Sequence, residues 1–135
     1  MANVTAVQTL VDGPRNVVVK LSGILDTADI GSTVVIDPAL LSGIDCDGNK
    51  GTRLVIDHID FNVEAGLAVN LYWDATTPVL IHSLVNSGDE LDYKKMGGLW
   101  NNAGTGITGK ITYTTQGWSA SAILSFTVIL HCRKR

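Results

Sequence analysis

The stretch Ala120-Ser121-Ala122-Ile123-Leu124-Ser125-Phe126-Thr127-Val128-Ile129-Leu130-His131-Cys132 decides the fold. Ala120, Ala122, Leu124, Phe126, Val128, Leu130 and Cys132 fall on one side of a two-residue period. Ser121, Ile123, Ser125, Thr127, Ile129 and His131 fall on the other. Side chains on a strand point alternately to opposite faces, so this is a half-buried strand. The same period recurs upstream. Gly66–Asp74 sets Leu67, Val69, Leu71 and Trp73 against Ala68, Asn70, Tyr72 and Asp74. Ile107–Thr115 sets Ile107, Ile111 and Tyr113 against Thr108, Lys110, Thr112 and Thr114.

Further strands are expected at Val4–Val11, Asn16–Leu25, Thr33–Ile36, Thr52–Val63 and Pro78–Val85. Turn chemistry separates them at Asp12-Gly13-Pro14, Asp47-Gly48-Asn49, Glu64-Ala65-Gly66, Ser87-Gly88-Asp89 and Gln116-Gly117. Pro38–Gly43 has the makings of one helical turn, and Asp89–Gly106 is the least regular stretch. No segment holds a 3.6-residue period. The expectation is an all-β, single-domain antiparallel β-sandwich of about eight strands, jelly-roll-like. An immunoglobulin arrangement is disfavoured because Cys46 falls in a turn.

Length and composition agree. A chain of 135 residues makes one domain with a true core. With 45% apolar and 17% charged residues it is not a disordered chain. Its longest apolar run falls well short of the ~20 residues a membrane helix needs. The start, Met1-Ala2-Asn3-Val4-Thr5, lacks a basic segment followed by an apolar stretch, so no signal peptide is expected. Synthesis in a reducing cytoplasm with free thiols follows, and Cys132 reads as a small core residue.

The net charge of −3 is unevenly spread. All 13 acids lie at or before Asp92, while Lys94, Lys95, Lys110, Arg133, Lys134 and Arg135 follow it. The terminal basics read either as a solvated tail or as a tail that docks on an acidic protein surface. Three are too few for a nucleic-acid footprint.

Candidate chemistry fails on context. Gly104-Thr105-Gly106-Ile107-Thr108-Gly109 spells a dinucleotide fingerprint, but a β-branched strand follows where a helix is needed, and no acid lies downstream. Read as a P-loop, Gly109-Lys110 is followed by Ile111 where Ser or Thr must hold magnesium. Asp45-Cys46-Asp47-Gly48-Asn49 opens like a calcium loop, but Lys50 and Ile56 stand where Gly and Glu belong. His58 and Asp60 share a strand face, and with His82 they have the residue types of a metal site. Such histidines more often hydrogen-bond across a polar face. Glu64, Asp74 and Glu90 are the acids that a glycosidase reading would use. No nucleophile or metalloprotease motif is present. The expectation is a non-enzyme with no cofactor and no metal. Trp73 lies on an apolar face and reads as core, whereas Trp100 and Trp118 lie near loops, where interface burial and ligand stacking compete.

One family resemblance carries the functional reading. Leu71-Tyr72-Trp73-Asp74-Ala75 followed by Pro78-Val79-Leu80-Ile81 resembles small structural proteins encoded beside the major capsid protein of tailed bacteriophages. So do Asp92-Tyr93-Lys94-Lys95-Met96-Gly97-Gly98-Leu99-Trp100 and Gly106-Ile107-Thr108-Gly109-Lys110-Ile111. A last strand ending in basic residues, Ile129 to Arg135, completes the likeness to these capsid cement, or decoration, proteins. The resemblance covers roughly the C-terminal half and agrees in total length.

It implies a jelly-roll-like protein on the outer surface of the virion, made in the host cytoplasm. Its partners would be the major capsid protein and itself, as a homo-dimer or homo-trimer, with no nucleic acid and no membrane. Ile123 and Ile129 lie on a face too apolar for solvent and too polar for a core, as an interface often is. With Trp100, Asn101, Asn102, Trp118, Arg133, Lys134 and Arg135 they are the expected contact residues. The alternative is a carbohydrate-binding jelly roll of a viral attachment structure, with Trp100, Asn101 and Asn102 as its sugar platform.

Overall fold

The computed structural model describes residues 3–41, 54–119 and 123–134. Its strands are β1 (Val4–Asp12), β2 (Asn16–Leu25), β3 (Thr33–Ile36), β4 (Leu54–Trp73), β5 (Val79–Asp92), β6 (Ile111–Gln116) and β7 (Leu124–Lys134). Two short 3₁₀ turns, Pro38–Leu40 and Lys94–Met96, complete the regular structure of the described residues. The first is the expected helical turn. Pro38 fixes its entry, and the Asp37 carboxylate accepts from the Ala39 amide at 3.0 Å. The turn Asp47-Gly48-Asn49, the calcium-like loop and Cys46 lie outside the described residues.

Every strand pair is antiparallel. The long β4–β5 ribbon organises the molecule. On its free side, the first half of β4 pairs with β7, from Leu54↔Lys134 to Val63↔Phe126. The second half pairs with β6, from Ala68↔Gln116 to Trp73↔Ile111. One layer is therefore β1-β2-β7 with the first half of β4 and the end of β5. The other is β3-β6 with the second half of β4 and the start of β5. Counted as halves, β4 and β5 give eight segments from β2 to β7. These pair first with last, second with seventh, third with sixth and fourth with fifth. That is the jelly-roll pattern, with β1 added at an edge.

Three expectations are corrected. Glu64-Ala65-Gly66 is a bulge rather than a turn. Val63 opposes Ser87 and Ala68 opposes Val85, so residues 64–67 of β4 face a single residue of β5. Gly66 takes φ 87°, and the carbonyl it carries abuts Gly117 (φ 101°), where a Cβ would stand 2.2 Å from that oxygen. Ser87-Gly88-Asp89 is also strand, because β4 supplies partners at Val63, Asn62 and Phe61. Finally, β6 begins at Ile111 rather than Ile107, because Gly106 and Gly109 adopt left-handed φ of 82° and 83°.

The core lies between the two layers. Val17, Val19, Leu21 and Leu25 of β2, Ile56 and Ile59 of β4, and Val128 and Leu130 of β7 point inward from one layer. Val69, Leu71, Trp73, Ile111 and Tyr113 face them from the other. Trp73 is fully buried, as its strand face predicts. Tyr113 and Phe126 meet across the core with ring centroids 6.2 Å apart. Cys132 is a buried thiol. Burial, with the nearby Asp57 charge, pushes it well above its ordinary value, so it is a packing residue rather than a nucleophile.

Candidate interaction surface

The N-terminal strand departs most from the rest of the fold. Val4-Thr5-Ala6-Val7-Gln8-Thr9-Leu10-Val11-Asp12 is rich in β-branched residues and carries apolar side chains in both alternating sets. Such a two-sided pattern suits a strand covered on both faces. Yet among the described residues β1 pairs only with β2, at the end of its layer, and all nine of its residues are exposed. Val4, Val7, Leu10 and Val11 retain 64, 44, 51 and 49% of their surface. An edge is ordinarily protected by Lys, Pro or a bulge. Here a bulge falls between Thr9 and Val11, but the strand holds no lysine, arginine or proline. Ile24, opposite Val4, is exposed as well. So is Ile123, just before Leu124, which pairs with Leu25 at the same end of β2. The sequence predicts β1 as a strand. Its edge position, and hence its exposure, is set by which strand pairs with β2.

The loop that carries Trp100 is anchored rather than loose. Gly97 and Gly98 take φ of 83° and 93°, and a Cβ on Gly98 would stand 2.4 Å from Val55. Leu99 and Ile56 exchange backbone hydrogen bonds of 2.7 and 3.1 Å. Trp100 is 48% exposed, and its indole N–H donates to the Gly97 carbonyl at 3.3 Å. Asn102 is exposed, but Asn101 turns inward. Its side-chain oxygen accepts from the Ala103 amide, and its amide nitrogen is buried. These three residues therefore do not converge on one outward platform.

Trp118 is half-buried against the core, and its backbone N–H donates to the Asp29 carboxylate at 3.1 Å. Ile129 is half-buried on the outer face of β7, between Lys20 of β2 and Asp60 of β4.

The basic end of the chain is built into the sheet, which corrects the reading of a solvated tail. The Arg133 guanidinium bonds Asp57 at 2.8–2.9 Å and donates to the Gly97 carbonyl at 2.6 Å. The Lys134 side chain is 1% exposed, and its ammonium meets the Asp12 carboxylate and the Gly13 carbonyl. Arg135 lies outside the described residues.

A polar cluster occupies the outer face of the β1-containing layer. A bulge between Ile56 and His58 brings His58 directly opposite His131, with ring centroids 5.3 Å apart and planes at 82°. His58 Nε2 lies 2.9 Å from Asp60 Oδ1 and 3.3 Å from Glu90 Oε2. His131 Nε2 lies 3.2 Å from the second oxygen of Asp60. Burial raises the Asp60 carboxyl, but the hydrogen bonds and charge of His58 and His131 outweigh it and hold the group below its usual value. The sequence placed His58 with Asp60 correctly. It did not bring in Glu90 or His131, which arrive through cross-strand register. His82 stands apart, opposite Leu71.

The remaining candidates serve the scaffold. Glu64 accepts from the Ser125 amide at 2.8 Å, and Asp74 from the Thr108 hydroxyl at 2.7 Å. The Gly104–Gly109 loop is stitched to the end of β4, where the Thr108 amide donates to the Asp74 carbonyl and the Thr76 amide to the Thr105 carbonyl. A strand follows it, as the residues predict. Among the described residues no helix is long and apolar enough to cross a membrane. No protein-family model matches the chain, and no curated protein matches it.

Proposed function

We propose that this chain is a structural virion protein: a capsid cement, or decoration, protein. It binds the outer surface of a phage head, bridges neighbouring major capsid protein subunits and stabilises the shell. The observation that supports this reading best is β1, a nine-residue strand at the end of its layer whose Val4, Val7, Leu10 and Val11 stay exposed. Exposed apolar strands of that length are association surfaces, because unpaired backbone groups and apolar side chains recruit another chain together.

In this reading β1 meets a second copy, in a dimer or trimer. The exposed Met96 and Trp100 of the anchored loop meet the capsid. Each contact is modest, and icosahedral repetition multiplies it across the shell. The buried Lys134 and the paired Arg133 act within the protein, so the contact reading rests on apolar surface rather than on a basic tail.

The test is co-sedimentation with intact virions, with the copy number measured against the major capsid protein. A fixed near-stoichiometric ratio, together with loss of shell stability when the protein is stripped, is the expected result. Absence from particles, or only a few copies per particle, would overturn the cement reading.

A further inference from the structure

We propose that His58, Asp60 and Glu90 form a binding site for a divalent transition-metal ion of the zinc class, with His131 positioning Asp60 from behind. Three strands build it. Asp60 lies directly opposite Glu90 across the β4–β5 ladder, and His58 directly opposite His131 across the β4–β7 ladder. His58 and Asp60 share a face because they are two residues apart on one strand.

Each of the three residues offers one ligand atom within 4.8 Å of the other two, and His58 Nε2 faces Asp60 Oδ1 and Glu90 Oε2. Ligands at about 2.0–2.1 Å from a tetrahedral zinc stand roughly 3.3 Å apart. The two separations from His58 Nε2 are 2.9 Å, somewhat short of that value, and 3.3 Å, equal to it.

Without a cation, the two carboxylates at His58 must share a single hydrogen in a three-centre bond. An imidazole nitrogen carries at most one hydrogen, yet two carboxylate oxygens from different strands converge on His58 Nε2. Glu90 is an exposed side chain with open solvent available to it, and it still lies against a nitrogen already engaged by Asp60. A cation at the centre would engage all three atoms at once. His131 then donates to Asp60 Oδ2 at 3.2 Å, the arrangement that orients a ligating carboxylate from the second layer. One nitrogen and two carboxylate oxygens suit a borderline ion such as zinc, and three protein ligands leave a position for water or for a group from another chain.

The test is titration of the EDTA-treated, dialysed full chain with ZnCl₂ by calorimetry, and with CoCl₂ by visible absorption. The expected result is one equivalent of zinc, with a cobalt spectrum of low-symmetry, four- or five-coordinate form. His58→Ala and Glu90→Ala should abolish the spectrum. His131→Asn should weaken binding about tenfold, as for an outer-layer partner. His82→Ala should change nothing. Far-ultraviolet circular dichroism of each variant separates loss of a ligand from loss of the fold. Absence of stoichiometric binding to the wild-type chain would overturn the proposal. So would binding that survives in folded His58→Ala and Glu90→Ala variants.

Discussion

Lys134 shows how far a residue's role depends on where its strand lies. In the sequence it belongs to a basic terminal triplet. In the fold it occupies an inward position of β7, and its ammonium is enclosed by Asp12 and the Gly13 carbonyl. The two members of such a pair are not equivalent in cost. Asp12→Ala leaves a buried ammonium without its carboxylate and should destabilise the fold by about 3 kcal/mol. Lys134→Met replaces the ammonium with an apolar group of similar length, leaving the partly exposed Asp12 carboxylate to find water, and should cost about 1–2 kcal/mol. Combining the two changes should recover part of the sum. Urea denaturation of the three variants checks the order; equal costs for the two single changes would contradict it. Residue type alone could not show this pairing, because Asp12 and Lys134 lie 122 positions apart.

At the level of elements, local pattern and tertiary pairing contributed differently. Asn16–Leu25 and Thr33–Ile36 emerge with the boundaries their alternation predicts, because turn residues flank both and neither is interrupted. Glu64-Ala65-Gly66 reads as a turn in the sequence and forms a bulge in the fold because both use the same residues. Only partners on both sides, β5 and β6 or β7, decide that the chain continues. The cluster on the outer face divides in the same way. His58 and Asp60 are legible as an i, i+2 pair, whereas Glu90 and His131 depend on register, which is non-local.

The glycines give a test at this scale. Gly117 packs against the bulge at Gly66 with φ 101° and no room for a Cβ. Gly117→Ala should cost about 1–3 kcal/mol. Gly104 opens the same fingerprint-like run as Gly106 but meets nothing within 4 Å. Gly104→Ala should therefore stay within about 0.5 kcal/mol of wild type. Thermal unfolding compares them, and equal losses would show that the bulge does not depend on Gly117.

For the whole molecule, the proposed function makes the β1 edge the contact between copies. Replacing Val7 and Leu10 together with lysine adds charge to a strand on which both side chains are about half exposed. Surface changes of this kind usually move stability by no more than about 0.5 kcal/mol each. On the proposed function, the wild type should sediment as a dimer or trimer and the doubly substituted chain, still folded, as a monomer. If both chains sediment alike, β1 is not the contact between copies.

The pairing of first segment with last also orders the events of folding. Asn16 meets Arg133, so the β2–β7 ladder closes a loop of more than a hundred residues. By contrast, β4 and β5 are consecutive and need only the short connection from Trp73 to Val79. Loop-closure entropy therefore favours the β4–β5 ribbon as the early structure. A chain still being synthesised carries β2 with no partner on its inner flank until β7 has emerged. For that interval the apolar face of β2 and the whole of β1 stand open to the wrong neighbour. A sheet closed by its first and last segments thus asks the cell for slow, protected maturation.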